Sequence, residues 1–299
     1  MEWIKALQAV MGGPFWDGFW VTISKIYSEN VMLALLVIVY WVSSRSYKRY
    51  FVTLVIGQLW VVAGLKGLIG IQRPPMDAGI RVIQVDTDGT FSTPSGHATG
   101  SASVFSALAL GIRHRWFTAL AILVILLVGT SRLYLGVHYP TDLLAGWALG
   151  LLLAVGLYYA WRPLEAALGR LPFGAQLALA LLAPTALMAL WAGIPVIARV
   201  GLSEQFATMG ALAGIWVGDL LEERLVRAER ADGLRRQVLN CLCGLVLVFA
   251  VRFALKAVMP AGEWADFIRY IGVGLTVALL APWVFSRLPL RPAGKAVAS

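Results

Sequence analysis

Charged residues are scarce in this chain of 299 residues, because Asp, Glu, Lys and Arg make up only 14% of it. Soluble globular domains carry about a quarter charged residues, so this scarcity excludes an ordinary soluble protein. Apolar residues make up 59% of the chain, and the mean hydropathy is +0.76. They occur in blocks of about twenty, enough to cross a hydrocarbon core about 30 Å thick. The composition predicts an all-α integral membrane protein with several spans.

Cysteine and acidic residues are also few. Cys241 and Cys243 are two positions apart in a predicted helix and point to different sides, so no disulfide is expected. The net charge of +9 reflects 25 Lys and Arg against 16 Asp and Glu. In a membrane protein such an excess marks cytoplasmic loops. Without a soluble basic domain, it does not predict binding to nucleic acid.

Hydropathy divides the chain into three parts. Residues 1–25 contain many aromatic side chains and a Gly-Gly-Pro break, which predicts an interfacial N-terminal segment. Residues 26–162 form a predicted core of five spans, and residues 163–299 a C-terminal transmembrane module of four. The nine helices are predicted at 26–43, 50–71, 97–112, 116–131, 140–161, 174–197, 205–221, 238–258 and 268–287.

Basic residues are concentrated at one set of helix ends. The positive-inside rule makes these ends cytoplasmic, so the N-terminus and the loop 72–96 are expected to face outward. The basic residues of this set are Arg45, Lys48, Arg49, Arg113, Arg115, Arg162, Arg170, Arg224, Arg227, Arg230, Arg235, Arg236, Arg287, Arg291 and Lys295.

Three polar clusters interrupt the apolar pattern, all at the opposite, outward-facing ends. In the first, Lys66 and Arg73 are seven residues apart, about two helical turns, and so share a helix face. Pro74 disfavours helix at the residue before it and helps to end the span. Taken alone, the two cations are typical of side chains that extend to the interface.

The second cluster is Thr93–His97, with the sequence TPSGH. Pro, Ser and Gly favour a turn and a helix start, so free backbone N–H groups are expected near Ser95, Gly96 and His97. Such a helix terminus favours anions. Taken alone, it is equally an ordinary serine cap.

The third cluster is the stretch SRLYLGVHYPTD, residues 131–142. The Tyr-Pro pair at 139–140 predicts a helix start near Pro140, with Asp142 in its first turn. His138 then lies at the helix entrance, where Asp142 could accept an imidazole N–H, and Arg132 ends the preceding helix. Taken alone, these residues are also typical of helix capping and a structural histidine.

The three clusters together indicate phosphoryl chemistry. Fixed cations and N–H donors suit a phosphoryl group, whose charge is spread over its oxygens. A histidine oriented by a carboxylate suits a nucleophile, and a second histidine suits a general acid. The third histidine of the chain, His114, lies in a cytoplasmic turn. One carboxylate without an acidic partner at metal-ligand spacing predicts no metal.

In this order and spacing, the clusters resemble the three signature motifs of the type 2 phosphatidic acid phosphatase superfamily. The motifs are Lys-x6-Arg-Pro, Pro-Ser-Gly-His and Ser-Arg-x5-His-x3-Asp, and the resemblance covers roughly residues 15–162. It implies a helical membrane core of the phosphatidic acid phosphatase type 2 and vanadium haloperoxidase type, followed by extra C-terminal transmembrane helices. Many relatives have six spans, so the family's first span is here reduced to the interfacial segment.

The resemblance also implies a role for each motif residue in a metal-independent lipid phosphatase that needs no cofactor. His138 attacks phosphorus and forms a phosphohistidine, Asp142 holds its tautomer, and His97 protonates the leaving group. The phosphate oxygens are held by Lys66, Arg73, Arg132 and the backbone of Ser95 and Gly96.

The implied partner is a phosphorylated lipid. Undecaprenyl pyrophosphate, phosphatidylglycerol phosphate and phosphatidic acid are the candidates, in a bacterial inner membrane with the site facing the periplasm or exterior. Two alternatives stay open: a lipid phosphotransferase, in which an alcohol replaces water, and a non-enzymatic lipid transporter.

The eighth predicted helix carries two basic residues for which the sequence allows two roles. Arg252 and Lys256 are four residues apart and share a face, with no carboxylate within a turn on the same helix. They either extend to the interface or point toward the catalytic core and collect anionic headgroups.

Overall fold

A computed structural model describes residues 2–75, 79–83, 90–195, 203–228, 231 and 233–288. Within these residues the regular structure is helical and no strand occurs. The helices are α1 (Glu2–Val10), α2 (Pro14–Lys25), α3 (Glu29–Val42), α4 (Arg45–Ile69), α5 (Gly96–Ile112), α6 (Arg115–Tyr134), α7 (Pro140–Gly169), α8 (Phe173–Ala192), α9 (Ser203–Leu225), α10 (Leu234–Val258), α11 (Glu263–Leu275) and α12 (Ala281–Arg287), with a π-helical turn at Thr276–Leu280.

A helix is present at each of the nine predicted places, and the all-α prediction is confirmed for the described part of the chain. The end of the helix predicted at 174–197 lies outside the described residues, as do Arg230, Arg291 and Lys295. The last predicted helix consists of α11, the π-helical turn and α12. Pro282 lacks the N–H that a continuous α-helix would use there, which accounts for the wider turn before it.

Helix α7 is longer than predicted and continues to Gly169, past Pro163. The predicted boundary at 162/163 therefore lies inside a helix. The helix continues past Pro163 because side chains before and after this proline contact α4. Trp161 is buried, and Glu165 accepts a hydrogen bond from Ser46 at 2.5 Å and pairs with Arg49 at 3.4 Å.

Seven stretches of the described residues are long and apolar enough to span a membrane. They are Pro14–Val42, Arg45–Ile69, Arg115–Tyr134, Pro140–Gly169, Phe173–Ala192, Leu234–Val258 and Glu263–Arg287. Two of the nine predicted spans correspond to helices, α5 and α9, that are not long and apolar enough. α5 has 17 residues, and α9 carries the buried carboxyl groups of Asp219 and Glu222. The chain is an integral membrane protein.

The N-terminal segment differs from a simple interfacial helix. α2 and α3 together form one apolar stretch of 29 residues, so the second half of the segment belongs to a possible span. The interfacial placement predicted for residues 1–25 stays a prediction. α2 packs on α6 through Trp20, whose ring stacks on Tyr134 with centroids 5.8 Å apart.

Helices α5 and α7 lie in close contact through small residues. A Cβ added at Gly150 would lie 2.4 Å from the carbonyl oxygen of Thr99 and 2.7 Å from the Cβ of Ala102, which no side chain tolerates. The same face of α7 continues to its first turn, which carries Asp142. This packing brings the start of α5 and the start of α7 together.

The C-terminal helices are fixed to the core by tryptophan side chains. Trp60 of α4 stacks on Trp191 of α8, with ring centroids 4.4 Å apart, and donates to the carbonyl oxygen of Leu187 at 2.9 Å. Trp41 of α3 donates to the carbonyl oxygen of Val277 at 2.9 Å. The module thus packs on the core at both α8 and the π-helical turn.

Buried charges join the start of α4 to the end of α9. Asp219 is 3% exposed and pairs with Lys48 at 2.5 Å and with Arg49 at 2.6 Å, and it accepts a hydrogen bond from Tyr40 at 2.8 Å. We call Arg45, Lys48, Arg49, Asp219, Glu222 and Glu223 the ion-pair cluster.

Arg252 has a carboxylate partner that its own helix does not offer. It donates to Glu29 at 2.7 Å and to Asn30 at 3.4 Å, both at the start of α3. The carboxylate that neutralises Arg252 thus comes from a different helix. The side chain does point toward the core, but it serves as a contact between α10 and α3.

The ion-pair cluster predicts a stability effect. Asp219→Asn removes the buried carboxylate that pairs with Lys48 and one of the three carboxylates that pair with Arg49. Breaking a buried pair costs about 3–5 kcal/mol. We expect a clear fall in the melting temperature of the detergent-solubilised protein. The matched control is Glu2→Gln, which breaks the exposed Lys5–Glu2 pair at 3.2 Å and costs less than about 1 kcal/mol. Equal melting temperatures for the two variants would contradict the assigned role of the cluster.

Candidate active site

His138 and Asp142 meet where the loop after α6 enters α7. Pro140 is the first residue of α7, and the Asp142 carboxylate accepts the backbone N–H of Tyr139 at 2.7 Å, which caps the helix. Four residues separate His138 from Asp142, and His138 Nδ1 lies 3.2 Å from Asp142 Oδ2. The side chains are 2% and 0% exposed. The spacing therefore yields the contact that the sequence predicted.

The Asp142 carboxylate is saturated with hydrogen bonds. The hydroxyl of Ser92 donates to Oδ2, and the hydroxyl of Thr93 donates to Oδ1. Ser92 Oγ also lies 3.2 Å from His138 Nδ1. These donors keep the buried carboxylate ionised and fixed in orientation.

Arg73 lies on the other side of the His138 ring. Its Nη1 is 3.1 Å from His138 Nε2 and donates to the carbonyl oxygen of Val137 at 2.9 Å. Thr90 holds the rest of the guanidinium, accepting from Nε through its carbonyl at 3.0 Å and from Nη2 through its hydroxyl at 2.7 Å. Because arginine only donates, Nε2 of His138 is the unprotonated ring nitrogen and Nδ1 carries the proton toward Asp142.

The electrostatic setting keeps the His138 ring neutral. Burial, together with the nearby charges of Arg73, Lys66 and Arg132, lowers the pKa of His138 to about 3, against the opposing effect of the hydrogen bond with Asp142. Burial also lowers the pKa of Arg73 to about 10, so this guanidinium remains charged at neutral pH. A neutral imidazole whose Nε2 lone pair faces fixed cations is suited to attack an anionic phosphorus centre, once the cation moves to a phosphate oxygen.

The start of α5 completes the site. Ser95 caps α5, since its hydroxyl accepts the backbone N–H of Ala98 at 3.5 Å, and its own N–H donates to the backbone carbonyl of Asp142 at 3.1 Å. Gly96 and His97 form the first turn. The His97 ring makes an edge contact with Tyr27, with centroids 5.5 Å apart, and interacts electrostatically with His138.

The two remaining cations reach the same place from different helices. Lys66 comes from the last turn of α4 and Arg132 from the last turn of α6, and both act electrostatically on His97 and His138. Arg132 is 1% exposed and donates to Ser24 of α2 at 2.6 Å. The structure thus brings together all eight residues that the sequence singled out.

Several site residues escaped the sequence analysis. Ser92 directly precedes the second cluster and Thr93 is its first residue, so their position in the chain was a usable signal. Thr90 and Ser24 carried no such signal, because each lies in a segment without a motif. Their contacts with Arg73 and Arg132 depend on the folded path of the chain.

A second set of polar contacts, which we call the N-terminal clamp, holds the third cluster from outside. It consists of Gln8, Asp17, Arg81 and Tyr134. The Gln8 amide donates to the carbonyl oxygens of Arg81 at 2.8 Å and Tyr134 at 2.6 Å, and it accepts the Arg81 backbone N–H at 3.0 Å. Arg81 forms a two-point pair with Asp17 at 3.1 and 3.2 Å, and Tyr134 also donates to Asp17.

Gly136 allows the clamp to approach the catalytic loop. Its φ of 75° lies in the left-handed region, and a Cβ there would lie 2.6 Å from the carbonyl oxygen of Arg81. A side chain at this position would therefore be strained and would push the 79–83 segment away. The loop that carries His138 is thus enclosed by α1, α2 and the 79–83 segment.

The donor set at the site suits an anion better than a metal. Three cations and a helix N-terminus surround one histidine pair, and Asp142 is already engaged by four donors. Across the described ranges, no group of three or more His, Cys, Asp and Glu side chains could hold a metal ion.

Comparisons with known proteins place the chain in a family. A family model described as the PAP2 superfamily matches residues 46–165, and one described as the PAP2 superfamily phosphatase transmembrane extension matches residues 206–295. The lipid A 4'-phosphatase of Bacteroides thetaiotaomicron is 29% identical over 152 residues, which cover 46% of this chain and 66% of that protein. The undecaprenyl-diphosphatase of Sulfolobus acidocaldarius is 43% identical over 60 residues, 20% of this chain and 29% of that protein.

A solved structure is also similar. The crystal structure of a transmembrane PAP2-type phosphatidylglycerolphosphate phosphatase from Bacillus subtilis is 26% identical, covers 52% of this chain and 81% of its own, and gives a TM-score of 0.44. The chain spans less than two thirds of each of the two curated relatives. The family models match both the core that carries the motif residues and the helices that follow it, and the chain belongs to the PAP2 superfamily.

Proposed function

We propose that the protein is an integral-membrane lipid phosphatase that works through a phosphohistidine at His138. The observation that carries this proposal is the position of the neutral His138 ring, with Nδ1 directed at Asp142 and Nε2 directed at Arg73. Nε2 is thereby the nucleophilic nitrogen, and Arg73 beside it is placed to hold a phosphate oxygen. The names of the relatives, which act on lipid phosphates, support the class of substrate.

The first step forms the bond between His138 Nε2 and phosphorus and breaks the bond between phosphorus and the leaving oxygen. Asp142 stabilises the positive charge that develops on the ring, and Arg73 shifts from Nε2 to the phosphoryl oxygens. Lys66, Arg132 and the free N–H groups at the start of α5 hold the remaining oxygens. His97, which takes up a proton when the phosphate dianion binds beside it, gives that proton to the leaving oxygen of the lipid.

The second step returns the enzyme to its starting state. Water attacks the phosphohistidine, His97 takes the proton of that water, and the bond between His138 and phosphorus breaks. The products are inorganic phosphate and a lipid with one phosphate fewer. Each proton and bond is thus balanced between the two steps.

The site faces outward in this proposal. Lys66 lies near one end of α4, and Arg45, Lys48 and Arg49 lie at the other, about 30 Å away at 1.5 Å per residue. The basic ends belong to the cytoplasmic side by the positive-inside rule, which leaves the motif residues at the periplasmic or exterior face. The natural substrate is to be found with a phosphate-release panel of undecaprenyl pyrophosphate, phosphatidylglycerol phosphate and phosphatidic acid.

The nucleophile can be tested with substitutions at His138, Asp142 and His114. His138→Ala should abolish phosphate release from every lipid of the panel, because no other side chain replaces Nε2. Asp142→Asn should retain slow turnover, since the ring stays but loses its orienting charge. His114→Ala is the matched control, because His114 is exposed before α6 and away from the site. More than a few per cent of the wild-type rate in His138→Ala, with normal folding, would remove His138 as nucleophile.

Metal removal provides an independent test. If Lys66, Arg73 and Arg132 neutralise the phosphoryl charge, activity should survive EDTA, and vanadate should inhibit by occupying the phosphate site. Phosphate release is measured before and after chelation at a fixed ionic strength. Complete loss with EDTA and recovery with Mg²⁺ would contradict the mechanism.

The N-terminal clamp predicts an effect on turnover from a residue that does not touch the substrate. Gln8→Leu removes three hydrogen bonds that hold the 79–83 segment and Tyr134. We expect kcat to fall about tenfold, because the catalytic loop loses its fixed position. The matched control is Gln176→Leu, whose exposed amide bonds only to the carbonyl oxygen of Leu171. Equal kcat in the two variants would show that the clamp does not position the loop.

A further inference from the structure

A groove of about 600 Å³ runs between α1 and the site ends of α6 and α7. Its volume lies within the range of about 300–1,000 Å³ that is typical of ligand pockets. Apart from the Thr130 hydroxyl and the Trp3 indole N–H, its side chains are apolar. The lining residues are Trp3, Ala6, Leu7, Val10, Met11, Thr130, Leu133 and Pro140.

One face of α1 forms a wall of this groove. Residues 3, 6, 7 and 10 follow the helical spacing i, i+3, i+4, i+7 and so share a face. Trp3 is 80% exposed and Val10 is 83% exposed, so none of the residues that the structure describes covers this face. An apolar face open in this way is complementary to a hydrocarbon ligand.

The opposite face of α1 is fixed to the catalytic part of the molecule. Ile4 is 1% exposed and Gln8 is 7% exposed, and Gln8 makes the three clamp hydrogen bonds described above. The wall therefore has a defined position relative to the loop that carries His138. A groove with a fixed wall can orient a ligand, whereas a loosely attached helix could not.

The other wall belongs to the stretch that carries the catalytic residues. Leu133 directly follows Arg132, and Pro140 is two residues after His138. Consecutive Cα atoms are about 3.8 Å apart, so the Cα atoms of Pro140 and His138 lie within about 8 Å of each other. The groove and the phosphate site thus share one short segment of backbone.

We propose that this groove binds the hydrocarbon chain of the lipid phosphate while its phosphate lies at His138, an inference that rests on the proposed function. Bilayer lipid is as apolar as the groove, so the groove contributes through close contacts and orientation rather than through removal of the chain from water. A hydrocarbon chain held between α1 and α6 positions the phosphorus atom of the same lipid for attack. The groove therefore determines specificity for the hydrocarbon chain of the lipid.

Kinetic discrimination between chain lengths tests the groove. The probes are dihexanoyl and dioleoyl phosphatidic acid, or a short and a long prenyl pyrophosphate if the wild type hydrolyses only that class, in mixed micelles of fixed composition. We measure the ratio of kcat/KM for the long probe to that for the short probe. Ala6→Trp fills the groove from α1 and should lower this ratio about tenfold, and Trp3→Ala, which removes a wall, should also lower it.

Ala9→Trp is the matched control. Ala9 is exposed on the same helix but does not line the groove, so the ratio should equal that of the wild type. If Ala6→Trp and Trp3→Ala both keep the wild-type ratio in an active enzyme, the groove does not bind the chain. A wild type that releases phosphate from no lipid would instead refute the proposed function itself.

Photolabelling gives a readout that does not need turnover. Phosphatidic acid and phosphatidylcholine with the same diazirine-bearing acyl chain are each incubated with the protein, and labelled peptides are mapped. Preferential labelling of α1 and Leu133 by the phosphatidic acid, decreased by vanadate, would support the proposal, because vanadate displaces the phosphate that anchors the chain. Equal labelling by both lipids would mean that the groove holds ordinary bilayer lipid, and would overturn it.

Discussion

The buried carboxylate of Asp142 is the constraint around which the site is arranged. A carboxylate without solvent is costly unless every oxygen is paired, and here four donors meet it: Ser92, Thr93, the backbone N–H of Tyr139 and the ring of His138. These donors come from the 90–95 segment and from the loop before α7. One charge therefore fixes the relative position of two motifs that are about forty residues apart in the chain.

The same constraint sets the chemistry of His138. The hydrogen bond to Asp142 keeps a proton on Nδ1 of His138, so the lone pair of the ring is on Nε2. Burial keeps the ring neutral by lowering the pKa of His138 to about 3. Arg73 occupies the side from which phosphate would be attacked. Tautomer, protonation state and direction of attack thus follow from one hydrogen-bonded group and its surroundings.

Helix packing determines whether this arrangement can form. The close approach of α5 and α7 at Gly150 aligns the start of α5, with its free N–H groups, beside the start of α7. The site lies at one end of α4, whereas the ion-pair cluster joins the other end of α4 to α9. The C-terminal helices therefore stabilise the core at a distance from the site and contribute none of the eight site residues.

The helices and the motif residues could be predicted because hydropathy and residue spacing are local properties of the sequence. Hydropathy located each core helix, and the i, i+4 relation of His138 and Asp142 predicted their contact. Helix ends were less predictable: α7 passes Pro163 because Trp161 and Glu165 make tertiary contacts. The contacts of Arg73 with Thr90, of Arg132 with Ser24 and of Gln8 with Arg81 were not predictable, since each joins segments without periodicity or fixed spacing.

The central claim is that phosphorus becomes bonded to His138 during turnover. The most direct measurement is rapid quenching of the reaction with a ³²P-labelled lipid phosphate, followed by mapping of the labelled peptide. The account predicts a transient label on His138 that is stable in alkali and labile in acid, and that is missing in His138→Ala. Turnover without labelled protein at any quench time, or a label on a different side chain, would contradict it.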